Sequence, residues 1–256
     1  RIEVPRGKML GGTSSINGMV FMRGQPQDYN HWAQLGNRGW SWDDVLPVFK
    51  RMESYDGGSD EYRGRSGPLR VTDTPRHKVP LLEKMIAAAA KIGLPYNPDL
   101  NGATQEGIGM SQVTIAKGRR QSTAYCYLDP ARGRPNLVIE QNAMAETLIL
   151  EGKSCVGVRY SVAGQPREAR ATREVIVSSG SINSPKLLEL SGIGQPDLLR
   201  RLGITPVHEL PGVGENLRDH YSPRVKFAIT ERNATFNDNA RGWRLAREAM
   251  KYALWG

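Results

Sequence analysis

The sequence predicts an α/β chain, on two kinds of observation. Between Val175 and Gly194 the short apolar run VIVSS meets a glycine and then the helix-forming stretch SINSPKLLELSGIG. A buried-type strand that turns through Gly180 into a helix is a recurring unit of α/β architecture. Elsewhere, stretches that alternate apolar and polar residues stand beside stretches with helix-start and helix-stop chemistry.

Taken in order, residues 1–30 read as an extended entry, a glycine turn, then a helix or loop from about Ser14. GWSWDDVLPVFKRME begins a helix, with Ser41 as cap and Asp43 and Asp44 in the first turn, where a carboxylate meets the positive helix end. Residues 54–68 are rich in glycine, serine and charge, hence loop, and GPLRVTD is a short strand. Pro80 opens a helix that Gly93 stops. From Asn136 the chain becomes strand-rich: NLVIEQN, ETLILEG and CVGVRYSV alternate, and Gly152-Lys153 suits a hairpin turn between the last two. After the Val175–Ser179 strand, Ser184 caps a helix with Pro185 at its first position and Ser191-Gly192 at its end. A short helix from Pro196 to Leu202 stops at Gly203, and NARGWRLAREAMKYALW forms a final helix with Trp243, Ala246 or Arg247, and Met250 on one side.

Composition narrows the function classes. The 256 residues, 39% hydrophobic and 24% charged, suffice for one large domain or two small ones, and no apolar run approaches a membrane span of roughly 18 residues. There is no short repeat and no low-complexity tract. A net charge of +9 points toward an anionic partner, yet Lys and Arg are scattered, with local clusters only at 117–120 and 241–247. Solvated faces and a large anionic cofactor account for this better than nucleic acid. Cys126 and Cys155 make no disulfide framework and suit a reducing, cytoplasmic setting. His31, His77, His208 and His220 lack metal-ligand spacing, and no GxSxG, CxxC or HExxH occurs, which removes support for hydrolase and zinc chemistry.

Two stretches carry chemistry. In RGKMLGGTSSINGMVFMRG, Arg6–Gly24, the glycines Gly11 and Gly12 let a flat or phosphorylated ligand touch the backbone, Thr13, Ser14 and Ser15 add donors, and Asn17-Gly18 exposes a further amide. A tight structural turn is the competing explanation. Val175–Pro185 has the strand–turn–helix shape of an anion or dinucleotide site, or of an ordinary α/β unit. LPGVGENLRDH holds a lone GxG and an Asp219-His220 pair; adjacent residues do not normally face one another, so a turn is the better reading than an acid–base pair.

GKMLGGTSSINGMVFMRGQPQDYN (Gly7–Asn30) and GSINSPKLLELSGIG (Gly180–Gly194), in this order and separation, resemble two signatures of the glucose–methanol–choline (GMC) flavoprotein oxidoreductases, choline-dehydrogenase-like branch. GRRQSTAYCYLDPARGRPNL and ELPGVGENLRDH are also similar to the family, and the resemblance fades after about Tyr221. It implies an α/β chain, α+β overall, with a Rossmann-like FAD domain (1–66 and 106–221) and an antiparallel-sheet substrate domain (67–105 and 222–256). Both are discontinuous and incomplete here.

The resemblance implies that Arg6 through Leu10, Gly11 and Gly12 run beside the FAD pyrophosphate and ribityl chain, and that Thr13 and Ser14 hydrogen-bond there. Asn17, Gly18, Met19 and Val20 then pass the isoalloxazine edge, Ala145 offers backbone atoms near the adenine, and Ser179 and Gly180 line the adenosine side. Some choline oxidases carry a flavin-linked His where Ile16 stands, so FAD is expected to be non-covalent. The implied reaction is alcohol oxidation to an aldehyde or ketone by hydride transfer to flavin, with a quinone, another acceptor or oxygen taking the electrons. The implied location is cytoplasmic, with peripheral inner-membrane attachment as the alternative. The family's opening GxGxxG and its late catalytic His, followed by His or Asn, have no counterpart in this sequence, which therefore reads as an internal fragment with no catalytic residue to name. The chain by itself is expected to be unstable or a poor FAD binder. A non-catalytic or split flavoprotein piece, or a GMC-fold lyase or decarboxylase, are the alternatives.

Overall fold

The computed structural model describes residues 3–74, 80–220, 226, 228–230 and 235–255. His77 therefore lies outside the described residues. The chain divides into two compact units, residues 1–137 with 227–256 and residues 138–226. This division runs along other lines than the expected four segments. No described helix is long and apolar enough to cross a membrane.

In the first unit the helix Trp42–Met52 has the expected start: Ser41 Oγ accepts from Asp44 N–H at 3.4 Å while the Asp44 carboxylate accepts from Ser41 N–H at 3.1 Å. A second helix, Pro26–Gln34, begins with the equivalent reciprocal box between Gln25 and Asp28. Of the helix or loop expected from about Ser14, Ser14 itself lies in one tight turn, Gly12–Ser15, and the helix follows at Pro26. The two helices pack through aromatic rings: Tyr29 meets Phe49 and Trp42 at centroid distances of 5.6 and 5.7 Å. The helix Pro80–Lys91 ends before Gly93, whose φ of 84° supplies the left-handed stop. The final helix spans Gly242–Trp255, with Arg247 over the Trp243 ring.

Short ladders join these helices. Gln112–Val113 is the centre of a three-stranded antiparallel sheet between Val20–Phe21 and Thr72–Asp73, and Glu53–Ser54 runs parallel to Leu69–Arg70. The strands at 69–70 and 72–73 fall inside the expected GPLRVTD. A hairpin, Ile115–Ala116 with Arg119–Arg120, turns at Lys117 and Gly118, both at positive φ.

Beneath these ladders lies a buried charged network. The side chains of Arg63 and Glu53 are 0% exposed. Arg63 donates to both Glu53 carboxylate oxygens (2.8 and 3.1 Å), to Asp99 Oδ1 (2.5 Å) and to Gln112 Oε1 (2.9 Å), and its guanidinium lies 3.9 Å from the Tyr55 ring centre. Arg23 pairs with the same Glu53 at 2.8 Å and donates through Nη1 to Tyr62 O at 2.6 Å, while its Nε and Nη2 make no hydrogen bond among the described residues. Burial lowers the Arg23 pKa, and the Glu53 charge opposes that shift. Burial first, then the bond to Asp73 at 2.8 Å, pushes the Tyr55 phenol well up, so it stays protonated. Asn101 ties the network to the opening segment: Arg23 N–H donates to its Oδ1 at 2.7 Å and its Nδ2 donates to Phe21 O at 3.1 Å.

The second unit is a three-stranded antiparallel meander, Ala143–Glu151, Ser154–Val162 and Gln165–Arg170, with the helix Gly180–Leu190 behind it. The first turn lies at Gly152-Lys153 as expected; the second, Ala163-Gly164, has both residues at positive φ. Leu148, Ile149, Leu187 and Leu199 form its core. Ser191 links sheet and helix, accepting from Leu148 N–H at 2.8 Å and donating to Leu187 O at 2.6 Å.

Three expectations need correction here. NLVIEQN and Val175–Ser179 are not strands; Val138 is 85% and Ile176 77% exposed. The alternation of the first and the apolar run of the second are real, but among the described residues no strand lies alongside to complete a ladder. The edge strand Gln165–Arg170 escaped notice because its residues, QPREAR, are polar throughout and include a proline, which only an edge tolerates. The helix at 180–190 starts earlier than Ser184, whose Oγ instead accepts from Ser179 N–H at 2.9 Å, and Pro185 sits inside it.

Candidate functional site

The Gly7–Val20 segment folds back on itself, and its glycines divide into two kinds. A Cβ on Gly7 would stand 2.2 Å from Gly12 O, and one on Gly11 would stand 2.5 Å from Ser15 Oγ and 3.1 Å from the Ala124 Cβ. These two are glycines because the chain itself fills the space. Around Gly12 and Gly18, by contrast, no described residue beyond the chain neighbours lies within 4 Å of where a Cβ would point. At Gly11 the Cβ direction is thus filled by the chain itself, whereas at Gly12, with φ 53°, and at Gly18 it is open among the described residues.

The hydroxyls divide similarly. Ser14 Oγ donates to Gly11 O at 2.5 Å and accepts from Thr123 N–H at 3.0 Å, so it braces the loop and has no proton left to give. Ser15 Oγ donates to Leu10 O at 2.9 Å. Thr13 Oγ1 accepts from Gly7 N–H at 3.2 Å, and its own proton finds no acceptor among the described residues. The Arg6 side chain is exposed, and Met9, Ile16, Val20 and Met22 present apolar surface to solvent.

The turn after Ile16 is set by Asn17. Its Oδ1 accepts from Met19 N–H at 3.0 Å, which stabilises the unusual φ of 62° at Met19. Met19 O accepts from Thr114 N–H at 2.8 Å, and Val20 then pairs with Val113 on a sheet edge. Arg120 reaches the same turn, donating to Asn17 O and Asn17 Oδ1, each at 2.8 Å, and to Ser14 O at 3.3 Å. Arg120 and Thr123 are the site residues that sequence reasoning missed. The clue was present in Lys117-Gly118, a two-residue hairpin signal at the start of the family-like GRRQSTAYCYL, but a basic cluster reads as a solvated face until its partner is known.

The remaining expected residues belong to the second unit. Ala145 lies on the edge strand of the meander, beside an irregularity between Ala145 and Thr147 that loosens the ladder. Ser179 precedes the helix, and Gly180, at φ 88°, has open space where a Cβ would be. The same unit holds a groove of about 550 Å³ along that helix, lined by Ser181, Pro185, Glu189, Val213 and Leu217 among others. Gly214, at φ 80°, belongs to packing, because a Cβ there would meet Glu189 Oε1 at 2.7 Å. Asp219 accepts from the neighbouring His220 N–H at 2.8 Å, the geometry of a turn. Neither cysteine forms a disulfide, and burial pushes the Cys126 thiol up, away from reactivity. No metal-holding cluster occurs among the described residues.

Comparison with known proteins agrees with this arrangement. The chain is 48% identical over 233 residues to an oxygen-dependent choline dehydrogenase of Chromohalobacter salexigens, covering 90% of this chain and 42% of that protein. The chain thus spans well under half the length of the curated relatives it matches. Among solved structures, an FAD-dependent oxidoreductase from Chaetomium thermophilum is similar with a TM-score of 0.79 at 33% identity, over 85% of this chain and 40% of that one. The pyridoxine 4-oxidase of Mesorbium loti is similar with a TM-score of 0.73 at 34% identity, over 80% of this chain and 41% of that one. The family signature described as GMC oxidoreductase matches residues 1–222, and the chain, with its braced glycine loop and strand-linked helix, belongs to that family.

Proposed function

We propose that this chain is the flavin-holding portion of an FAD-dependent alcohol oxidoreductase. In the complete protein an alcohol of the choline-dehydrogenase type is oxidised to an aldehyde or ketone, and a quinone, another acceptor or oxygen then takes the electrons. The observation that carries this is the Gly7–Val20 loop in a GMC chain, closed by its own packing at Gly7 and Gly11 yet open at Gly12 and Gly18.

The residues present fit FAD. An anionic diphosphate joined to a flat ring asks for backbone approach, a cation, free donors and apolar surface. The loop offers open Gly12 and Gly18, exposed Arg6, the unspent Thr13 proton, and uncovered Met9, Ile16, Val20 and Met22. When bound, the flavin supplies a two-electron hydride acceptor. Arg6, Leu10, Gly11 and Gly12 hold the pyrophosphate and ribityl region, Gly11 by shaping the turn. Thr13 donates there, and Ser14 acts by bracing. The Asn17–Val20 backbone passes the ring, where an amide aimed at developing charge lowers the barrier without reorganising. In the second unit, Ala145 serves the adenine through its backbone, and Ser179 and Gly180 the adenosine. Ile16 has no nucleophilic atom, so the cofactor is held non-covalently. The assignment of 1–66 and 106–221 to FAD, and of 67–105 and 222–256 to the substrate, belongs to the same proposal, as does a cytoplasmic location, for which cell fractionation separates soluble from peripheral membrane protein.

An alcohol panel that includes choline, applied anaerobically to the intact protein, tests this: bleaching of the flavin absorbance near 450 nm is the expected result (a general property of reduced flavins), and no bleaching by any alcohol overturns it. Acid precipitation separately tests the linkage, with flavin expected in the supernatant and a yellow pellet counting against non-covalent binding.

A further inference from the structure

We infer that Arg120 is a positioning residue that aims the Gly18 N–H at the ligand and strengthens it as a donor. The inference rests on the flavin reading above. Asn17 C=O and Gly18 N–H belong to one peptide unit, and a trans peptide directs its carbonyl and its N–H to opposite sides. Arg120 Nη1 donates to Asn17 O at 2.8 Å, so the guanidinium stands on one side of that peptide. On the other side Gly18 N–H has no partner among the described residues, and beyond its chain neighbours none of them lies within 4 Å of where a Gly18 Cβ would stand.

The same Nη1 holds Asn17 Oδ1 at 2.8 Å, and that oxygen also accepts from Met19 N–H at 3.0 Å. Of the three amides around the turn, Asn17 N–H is spent on Thr13 O at 2.9 Å and Met19 N–H on the Asn17 side chain, which leaves Gly18 as the one presented outward. A cation on the carbonyl of a peptide polarises its N–H, since successive hydrogen bonds reinforce one another. The acceptor that profits is one that gains negative charge, which in this reading is the ring on reduction.

Arg119 is the internal control. It sits on the same hairpin, but its guanidinium lies over the Tyr125 ring at 4.2 Å. In the intact protein with its flavin, the quantity to measure is the midpoint potential of the bound flavin, alongside thermal unfolding. Arg120→Gln is expected to weaken the preference for reduced over oxidised flavin about tenfold, a fall of ~30 mV for a two-electron couple. Arg120→Lys is expected to recover part of it and Arg119→Gln to leave the potential unchanged. An unchanged potential in Arg120→Gln, or an equal fall in Arg119→Gln, overturns the inference. If Arg120→Gln does not fold, Arg120→Lys decides: a fall of roughly two- to threefold supports it and no fall overturns it. A wild-type protein that carries no flavin overturns the flavin reading itself, a result distinct from a flavoprotein whose potential ignores Arg120.

Discussion

The two units differ in where they place charge: both carry surface ion pairs, and the first also buries charged side chains. The first buries Arg23, Arg63 and Glu53 in one network beneath the strand that follows the glycine loop. The second keeps its pairs on the surface of the meander, Arg159 with Glu168 and Arg170 with Glu151, each pair about half exposed or more. A buried pair whose partner is removed leaves an uncompensated charge, whereas water replaces a lost surface partner. The glycine loop thus leads, through Val20–Phe21, into Arg23 of this buried network, while the surface pairs lie along the meander.

That contrast can be broken at its strong end first. Glu53→Ala strands two buried guanidinium groups and is expected to cost about 3–5 kcal/mol in urea unfolding of the intact protein. A loss under 1 kcal/mol would mean that water reaches the network. Next comes Gly11→Ala, which places a methyl against Ser15 and Ala124 at a φ of 84° and is expected to cost roughly 2–3 kcal/mol. Its counterpart Gly18→Ala has no neighbour to strike; stability should stay within about 0.5 kcal/mol while flavin retention on gel filtration falls. Equal stabilities for the two variants would erase the division between packing and open glycines.

In the second unit the largest expected polar effect is Ser191→Ala, about 1–2 kcal/mol, because Leu148 N–H loses its partner. Arg159→Ala should be smallest, at most about 0.5 kcal/mol and vanishing in high salt. A cost comparable to that of Glu53→Ala would remove the difference between the units.

Local chemistry made much of the fold legible. The Ser41–Asp44 box, the Gly93 and Gly203 stops, and the Gly152-Lys153 turn depend on neighbours a few residues away, so they could be read directly. The opening loop was legible as a ligand-approach segment, and its family signature pointed to FAD. The distinction between Gly11 and Gly12 was not, because both are simply glycine until Ala124 is seen beside one of them.

What the sequence by itself determined was many of the local turns and stops, the family, and hence the cofactor proposed for it. Only the tertiary structure decided that NLVIEQN and Val175–Ser179 make no ladder, since a strand requires a partner that alternation cannot supply. It also decided that the Ser14 proton is spent on Gly11 O while Thr13 Oγ1 serves as an acceptor for Gly7 N–H, and that Arg120, 103 residues along the chain from Asn17, holds the turn. These depend on hydrogen bonds and packing between distant segments, whose partners no local pattern names.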